Sequence, residues 1–360
     1  MPNLITSLFK TAYFRYKRSA ADRVRPWFIN FITTFKCNSR CEICGIWNKY
    51  ISMPQKAKEE LSLSEIREFL LRNKEFLREL RHIGLTGGEP FLREDIVEVV
   101  RSIREILPHV KTGIQTNGLV QGTKEKISQI LKFYPEFSLA VSLDGIAGTH
   151  DTVRGIRGAF EKALDLVKFA KQLGVPVTSG MTLNAHNYSE IKQVKSLADS
   201  LGAEFSCFLP ERAGYFNNED YADDLDSKMR NEISNTLREM FGYHYYMDNL
   251  RLLMEKKKAR GLNCYSGYAS LVINPYGEVK PCVLIDESFG NIKEERLDRI
   301  LSSSKAVSLR KKIKGCSCWC QCEVSASAVV DPWDVINWFL FRCRDKRGFL
   351  KELKQKINRI

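Results

Sequence analysis

The chain has 360 residues, of which 44% are hydrophobic, 28% charged and 11% aromatic. This composition is typical of a folded globular protein with one large and one smaller domain, and it excludes a disordered chain, a collagen and a multi-pass membrane protein. The formal net charge is +13, of which residues 1–25 contribute +5 and residues 341–360 contribute +6. Because the positive charge lies at the two ends and not across the body, it disfavours a nucleic-acid-binding protein.

The beginning of the chain has no basic segment followed by an apolar core and a small-residue cleavage site. We therefore expect no secretory signal and a cytoplasmic protein. In that reducing compartment, the eleven cysteines of the chain favour ligation of a metal or an iron–sulfur cluster over disulfide bonds.

Apolar, β-rich segments alternate with segments of helical periodicity from Trp27 to Pro210. The predicted strands are 27–35, 82–86, 110–116, 137–143, 176–183 and 203–209. The predicted helices are 62–80, which opens with the capping-box pair Ser62 and Glu65, then 93–107, 123–133, 158–173 and 188–201. This alternation predicts an α/β fold, a partial (β/α)6 barrel of parallel strands with its chemistry at their carboxyl ends.

The remaining segments complete the predicted domain organisation. A hairpin pattern around the turn at residues 274–277 marks a second, smaller domain rich in cysteine. We expect five parts: a basic amphipathic N-terminal helix at 1–26, the α/β core at 27–215, a helical connector at 216–260, the small domain at 261–325 and a basic amphipathic tail at 326–360.

Three cysteines stand directly after the first predicted strand, in the spacing Cys37-x3-Cys41-x2-Cys44. Three thiolates on one short loop can hold three corners of a cubane iron–sulfur cluster and leave the fourth iron open for chemistry. Two other interpretations compete, a structural zinc site and buried cysteines that act as small apolar residues. Zinc in a structural site usually has four protein ligands, and this loop offers three.

Short motifs also follow the next three predicted strands. They are TGGEP at 86–90, TNG at 116–118 and SLDG at 142–145, followed by His150-Asp151 and Arg154-Gly155. Each motif alone could be an ordinary turn. A set of such motifs at successive strand ends, all expected to face the same cysteine loop, is hard to explain as turns. Glycines allow the backbone to approach a ligand closely, and a carboxylate can accept hydrogen bonds from an amine.

The combination of CxxxCxxC, GGEP, SLDG and a downstream HDxxRG closely resembles the radical S-adenosylmethionine (radical SAM) superfamily over residues 28 to about 210. The resemblance implies that Cys37, Cys41 and Cys44 hold a 4Fe-4S cluster whose free iron chelates the amino and carboxylate groups of SAM. One-electron reduction would cleave SAM to methionine and a 5'-deoxyadenosyl radical, which abstracts a hydrogen atom from the substrate.

The same resemblance implies roles for residues at the strand ends. Gly87, Gly88 and Glu89 would meet the methionyl amine of SAM, and Asn117, Ser142 and Asp144 would lie near its ribose. One position departs from the family pattern, because the residue before the third cysteine is often aromatic and is Ile43 here. The departure concerns the adenine contact and not the cluster.

A second cysteine group lies in the predicted small domain. Cys264 and Cys282, on either side of the hairpin turn, resemble the opening of the SPASM and twitch extensions of radical SAM enzymes, which hold auxiliary 4Fe-4S clusters. The later cysteines have the shorter spacing CxCxCxC. We therefore expect at least one auxiliary cluster, and we favour one over the two clusters of a full SPASM domain. Its expected ligands are Cys264, Cys282, Cys318 and Cys322, with Cys316 and Cys320 as alternates. Four thiolates would also suit zinc.

Two other cysteines are expected to be structural. Cys343 is interpreted as a residue of an amphipathic helix and Cys207 as a buried core residue. His150 is singled out only through the HDxxRG motif.

Both ends of the chain show apolar residues at helical spacing among Lys and Arg. These residues are Leu4, Ile5, Leu8, Phe9, Ala12, Tyr13 and Tyr16 at the N-terminus, and Phe349, Leu350, Leu353, Ile357 and Ile360 at the C-terminus, preceded by Trp333, Trp338, Phe339 and Phe341. Basic amphipathic helices of this kind either lie on an anionic membrane or pack on the protein with their charges in water. Both interpretations remain open at the level of sequence.

The sequence therefore predicts a radical SAM oxidoreductase that abstracts hydrogen from a peptide, a protein side chain, a lipid or an isoprenoid. The competing hypothesis is an iron–sulfur electron carrier or a cluster-stabilised binding protein without turnover. The expected cofactors are the SAM-binding 4Fe-4S cluster, at least one auxiliary 4Fe-4S cluster and SAM. The expected partners are an external reductant of the flavodoxin or ferredoxin type and an anionic membrane surface approached peripherally, with no nucleic acid.

Overall fold

Six parallel strands form the first part of the sheet. The computed structural model describes residues 4–51, 53–221, 224–242, 244–255, 262–316 and 318–358. The strands are β1 (Phe28–Thr34), β2 (His82–Gly87), β3 (Lys111–Thr116), β4 (Ser138–Ser142), β5 (Val177–Thr182) and β6 (Glu204–Phe208). All six pair in parallel with their sequence neighbours. The predicted partial (β/α)6 barrel is confirmed.

Helices precede, connect and follow these strands. They are α1 (Leu4–Ser19), α2 (Leu63–Asn73), α3 (Ile96–Ile106), α4 (Thr123–Leu131), α5 (Gly148–Arg154), α6 (Ala159–Gln172), α7 (Ile191–Ser200), α8 (Ser227–Met240) and α9 (Tyr245–Met254). The predicted capping box is present at α2, where Ser62 and Glu65 bond reciprocally. The helix predicted at 62–80 is shorter, because α2 ends at Asn73 and a 3-10 turn follows at Phe76–Glu79. Helix α5 had no signal in the sequence, because its seven residues are too few to show a period.

The hairpin of the predicted small domain continues the same sheet. Strands β7 (Ser270–Ile273), β8 (Glu278–Lys280) and β9 (Gly290–Asn291) extend it in the order β6-β5-β4-β3-β2-β1-β7-β8-β9. Strand β7 pairs in parallel with β1, and β8 pairs antiparallel with β7. The sequence predicts the hairpin as part of a separate unit. In the structure, strand β7 of the hairpin instead pairs with the otherwise unpaired edge of β1 and protects that edge.

The core lies between the sheet and the outer helices. On each central strand, residues with large side chains point outward, such as Leu85 on β2 and Val141 on β4, both inaccessible to solvent. The alternate, inward positions hold small residues, among them Gly84, Gly113 and Gly180. A side chain at Gly113 would place its Cβ only 2.5 Å from the Ser138 hydroxyl oxygen. Small inward residues leave the barrel hollow.

In the described residues after the hairpin, the helices are α10 (Leu297–Ser302), α11 (Ser304–Ile313), α12 (Gln321–Val330), α13 (Trp333–Phe341) and α14 (Lys346–Asn358). The predicted basic tail is therefore divided into three helices, with Pro332 between α12 and α13. Cys343 is buried in the link between α13 and α14 and not on a helix, because α13 ends at Phe341. The expectation of a helical position for Cys343 was wrong.

The N-terminal helix packs on the body by a different face from the predicted apolar stripe. Phe14 is buried against Trp27 at 4.9 Å between ring centroids and against Tyr265 at 6.1 Å. The stripe residues Phe9 and Tyr16 remain exposed. The packing interpretation thus accounts for the attachment of α1 but not for its apolar stripe.

Candidate active site

The carboxyl ends of the barrel strands open into a cavity of about 900 Å3. Its wall includes the three cysteines that follow β1 and most of the residues predicted at the ends of β2, β3 and β4. These lining residues are Cys37, Cys41, Cys44, Gly87, Gly88, Asn117 and Ser142. The parallel arrangement of β1 to β4 thus brings together motifs that are more than 100 residues apart in sequence.

The cysteine loop is short and held by the backbone. The Cys44 amide donates to the Cys41 carbonyl at 3.3 Å, and the Arg40 amide donates to the Arg154 carbonyl at 2.9 Å. Burial raises the pKa of the Cys37 thiol to about 11 and that of Cys44 to about 12, and the neighbouring thiols add to both shifts. Thiolates in this position require a cationic partner to be stable.

Two side chains approach the sulfur atoms of this loop. The Asn117 amide nitrogen Nδ2 lies 4.0 Å from Cys37 Sγ, and the Arg154 nitrogen Nη1 lies 3.8 Å from Cys41 Sγ. Three thiols on one cavity, with donors directed at two of them, fit a cubane cluster that has three protein ligands. The fourth iron of such a cluster would face the cavity.

The two glycines after β2 bring that loop against the end of β1. The Gly88 amide donates to the Thr34 carbonyl and the Glu89 amide to the Lys36 carbonyl, both at 2.8 Å. A Cβ on Gly88 would lie 2.2 Å from the Lys36 carbonyl oxygen, and Gly87 has a φ of +140°. Any larger residue would push the two loops apart.

Glu89 lies at the junction between the ends of β2 and β3. Its side chain is completely buried, and its carboxylate accepts from the Phe91 amide at 3.0 Å, the Thr116 hydroxyl at 2.9 Å and the Asn117 amide at 2.7 Å. Burial raises the pKa of Glu89 to about 7, against the opposing effect of these donors. The residue joins the ends of β2 and β3, and its contact with the SAM amine stays a prediction.

Asn117 contacts the cysteine loop, and its predicted place near the ribose stays a prediction. Its Nδ2 donates to Asn38 Oδ1 at 2.8 Å and to Ser39 Oγ at 2.9 Å, so it attaches the end of β3 to the cysteine loop. Ser142 stays at the wall of the cavity, where the sequence placed it.

Asp144 is occupied by the chain itself. Its Oδ1 accepts from the Thr182 amide at 2.7 Å, and its Oδ2 pairs with Arg154 at 2.5 Å. Asp144 has 1% of its surface exposed, and its place near the ribose stays a prediction. Burial alone would lower the pKa of Arg154, but the facing Asp144 and Cys41 raise it. Arg154 therefore carries a fixed positive charge beside the cysteine loop.

His150 supports the same network as a neutral side chain. Its Nδ1 accepts from the Asp144 amide at 2.9 Å. Burial and the charge of Arg154 lower the pKa of His150 to about 4. The HDxxRG motif thus orients the ion pair.

Sequence reasoning missed the side of the cavity that covers the cysteine loop. Tyr215 and Glu211 come from the segment after β6, and Tyr246 and Trp319 come from α9 and the cysteine run; all four line the cavity. The Tyr215 hydroxyl donates to the Gly87 carbonyl at 3.5 Å. The Tyr246 and Trp319 rings stack with centroids 5.9 Å apart. None of these residues belongs to a recognisable motif, so no sequence signal points to them.

Glu211 is the acidic residue on this upper wall. Burial, with a contribution from Cys316, raises the pKa of its carboxyl group to about 7. Glu211 lines the same cavity as the cysteine loop after β1, and its carboxyl group interacts electrostatically with Cys316.

The later cysteines gather near the hairpin. Cys282 is partly buried, and this desolvation raises the pKa of its thiol to about 12, with further contributions from Cys316 and Glu323. Cys316 and Cys318 have their sulfur atoms 3.5 Å apart. Cys322 lies in the first turn of α12 and not in the expected loop.

The later cysteines also reach two cavities. Cys320 and Cys322 line both the main cavity and a small cavity shared with Cys282. Cys316, expected only as an alternate ligand, is thus the cysteine of this run that interacts with Cys282. Cys264 is buried, and its carbonyl accepts from the Arg18 side chain at 2.9 Å.

A site for a single metal ion needs a different arrangement of ligands from an iron–sulfur cluster. Within the part of the chain that the structure describes, no group of three or more His, Cys, Asp or Glu side chains is arranged to hold one metal ion. The thiolates of a cubane bind different iron atoms and so lie farther apart than the ligands of one zinc ion. The finding therefore concerns zinc and not an iron–sulfur cluster. Cys207 is buried in the core against Met247, as expected.

Two family models match the chain. One, described as the radical SAM superfamily, matches residues 31–198, and one, described as an iron–sulfur cluster-binding domain (SPASM), matches residues 264–323. Together they cover more than half of the sequence.

Two characterised proteins of Bacillus subtilis (strain 168) are similar to this chain. The sporulation killing factor maturation protein SkfB is 28% identical over 296 residues, which cover 81% of this chain and 68% of SkfB. The antilisterial bacteriocin subtilosin biosynthesis protein AlbA is 25% identical over 286 residues, which cover 77% of this chain and 60% of AlbA. The chain thus spans about two thirds of the length of these relatives.

Among solved structures, Streptococcus suis SuiB bound to its precursor peptide SuiA has a similar fold. The TM-score is 0.62 at 16% sequence identity, and the match covers 86% of this chain and 72% of SuiB. The fold of the chain is therefore that of a radical SAM barrel with an added C-terminal domain.

Proposed function

This chain belongs to the radical SAM superfamily, and from that membership we propose that it is an enzyme that cleaves SAM reductively and abstracts a hydrogen atom from a substrate in the barrel cavity. The observation that supports this most is the convergence of three thiols on a cavity that also holds the glycine loop after β2. Cys37, Cys41 and Cys44 would hold the SAM-binding 4Fe-4S cluster. When bound, that cluster supplies the electron that splits SAM into methionine and a 5'-deoxyadenosyl radical.

The residues of the chain prepare this cavity in three ways. Gly87 and Gly88 expose backbone beside the cysteine loop, at the place where the amino acid part of SAM would bind. Arg154 offsets the negative charge of the thiolates, since its guanidinium lies near Cys41. The side chains of Glu89 and Asn117 fix the loops that carry these groups. Ser142 remains available at the wall for the ribose.

In the C-terminal part, we propose an auxiliary 4Fe-4S cluster held by Cys264, Cys282 and two of the four later cysteines. Cys316 joins Cys318 and Cys322 as a candidate, because it interacts with Cys282. The proposed domain organisation keeps the radical SAM core at 27–215 and the SPASM-like domain at 261–325. An auxiliary cluster next to Glu211 and Trp319 would lie at the upper wall of the cavity, where it could accept an electron from a substrate radical.

A peptide or protein side chain is the favoured substrate. The cavity wall includes the aromatic rings of Tyr246 and Trp319 and the carboxyl group of Glu211. The rings can hold an apolar side chain, and the carboxyl group can accept from a backbone or cationic donor. Relatives named for peptide maturation support this choice. A lipid or isoprenoid is the second candidate, favoured by the exposed apolar surface at the chain ends.

Two partners complete the proposal. An external one-electron donor of the flavodoxin or ferredoxin type would reduce the SAM-binding cluster. The enzyme would work in the cytoplasm and attach peripherally to an anionic membrane surface.

The test is reductive SAM cleavage by the anaerobically reconstituted protein. With dithionite and SAM, we expect slow release of 5'-deoxyadenosine and methionine in equal amounts without substrate, measured by liquid chromatography and mass spectrometry. Reactions without dithionite serve as the control and should release neither product. A protein that is fully loaded with iron and cleaves no SAM under any strong reductant would instead be an electron carrier.

A further inference from the structure

The exposed apolar residues of this protein are concentrated at its two ends. Thirteen large apolar side chains are strongly exposed among the described residues. Nine of them lie on α1, α12, α13 and α14: Phe9, Tyr13, Tyr16, Val329, Trp333, Ile336, Leu340, Phe341 and Leu350. Scattered exposed apolar residues are normal, but a group of this size marks an interaction surface.

On α1 the exposed residues form one stripe. Phe9, Tyr13 and Tyr16 follow the i, i+4, i+7 spacing of one helical face. Phe9 is 71% exposed and Tyr16 is 67% exposed, whereas Phe14 on the opposite side is 2% exposed. The helix therefore has a second apolar face that the body of the protein does not cover.

Helix α13 repeats this arrangement. Trp333, Ile336, Leu340 and Phe341 follow the i, i+3, i+7, i+8 spacing and are all exposed, and Phe341 is 82% exposed. The opposite side is anchored by the buried Trp338, which packs against Tyr245 and Phe349.

A buried carboxylate holds the two helices together. Asp331 lies two residues before α13 and accepts from Arg15 of α1 at 2.9 and 2.8 Å. It also accepts from the Tyr265 hydroxyl at 2.9 Å. The ion pair thus links α1, which carries one stripe, to the junction between α12 and α13, directly before the helix that carries the other.

Exposed basic residues lie on α1 and on α14, the helix that follows α13. The exposed residues include Lys10 on α1 and Lys346, Arg347 and Lys351 on α14. Residues 1–25 and 341–360 together hold eleven of the thirteen net charges of the chain. An apolar surface edged by lysine and arginine is complementary to an anionic lipid leaflet, where each basic residue contributes about 1 kcal/mol.

Among the described helices, none is long and apolar enough to cross a bilayer. We propose that the exposed stripes of α1 and α13, here called the terminal face, lie on the surface of an anionic membrane with Phe9, Tyr16 and Phe341 inserted at the interface. This inference rests on the peripheral location in the proposed function and identifies the surface that makes the contact. The side chains of Leu4, Ile5, Leu8, Leu353 and Ile357, and the whole of Ile360, lie outside the described part of the chain and are not needed for it.

The experiment is flotation of the full-length protein with vesicles. We expect binding to vesicles of phosphatidylglycerol and phosphatidylcholine, little binding to phosphatidylcholine alone, and loss of binding as salt rises to about 0.5 M, where charges are screened within a few Å. The substitutions Phe9→Ser and Phe341→Ser together should weaken binding about tenfold or more, because both side chains bury apolar area in the lipid. Lys346→Gln with Lys351→Gln should weaken it and reduce its salt dependence.

Matched controls exist elsewhere on the protein. Leu71→Ser with Leu173→Ser removes two exposed apolar side chains, and Lys58→Gln with Lys305→Gln removes two exposed charges; neither pair should change binding. SAM cleavage should be the same in all variants, so failure of the membrane inference is distinguishable from failure of the proposed enzyme. Equal binding by the control and test variants would overturn the inference. The inference would also be overturned if the protein did not bind vesicles but formed a stable dimer that the variant Phe9→Ser with Phe341→Ser lost.

Discussion

Replacing Cys37, Cys41 and Cys44 together by alanine is expected to abolish SAM cleavage and to remove about four iron atoms per chain. The three thiols line one cavity, and no other cysteine is placed to substitute for them on the loop after β1. The fold should survive, because Cys37 and Cys44 are only partly buried and the loop is held by backbone hydrogen bonds. Iron analysis, visible absorbance and product release together measure the effect.

The matched control for this variant is Cys282→Ala with Cys316→Ala. That pair should lower iron content through the auxiliary site while leaving reductive SAM cleavage measurable. If the triple variant loses all of its iron, or retains SAM cleavage, then the assignment of two separate cysteine groups is wrong.

Replacing Glu89 by alanine is expected to lower the free energy of unfolding by about 3 kcal/mol or more, because it leaves buried donors without an acceptor. The Phe91 amide, the Thr116 hydroxyl and the Asn117 amide all bond to this carboxylate. Loss of the carboxylate should also loosen the cysteine loop, which Asn117 holds. Urea denaturation and iron retention are the measurements.

Two further variants separate this role from direct SAM binding. Glu89→Gln keeps one acceptor oxygen and should lose less stability than Glu89→Ala. Glu94→Ala removes an exposed carboxylate from the same segment and should change neither stability nor iron content. If Glu89→Ala instead keeps full stability and iron content and weakens only SAM binding, then Glu89 contacts the SAM amine, as the family resemblance implied.

The barrel could be predicted from the sequence because its signals are local. Each strand is a short apolar segment next to a segment of helical period, and the spacing of Cys37, Cys41 and Cys44 is complete within eight residues. The family resemblance added the motifs at the strand ends. Their meeting at one cavity follows from parallel strand order alone.

The other features of the fold and the site depend on contacts between segments that are distant in sequence. Hydrophobic periodicity does not indicate such contacts. Nothing in the sequence indicated that β7 would pair with β1, since an edge strand is available to many partners. The GGEP motif does not indicate the direction of the Glu89 side chain. In the structure this side chain bonds to the end of β3 and does not line the cavity. On α1 the apolar period was visible, but the face that packs is set by Phe14 and its partners Trp27 and Tyr265.

The central claim, an iron–sulfur cluster with one open iron on the loop after β1, is tested most directly by electron paramagnetic resonance of the reduced protein with and without SAM. We expect a reduced-cluster signal whose g values change when SAM is added, and we expect this SAM-dependent change to be missing in the variant with Cys37, Cys41 and Cys44 replaced by alanine. A spectrum of the iron-loaded wild type that saturating SAM leaves unchanged would contradict the account.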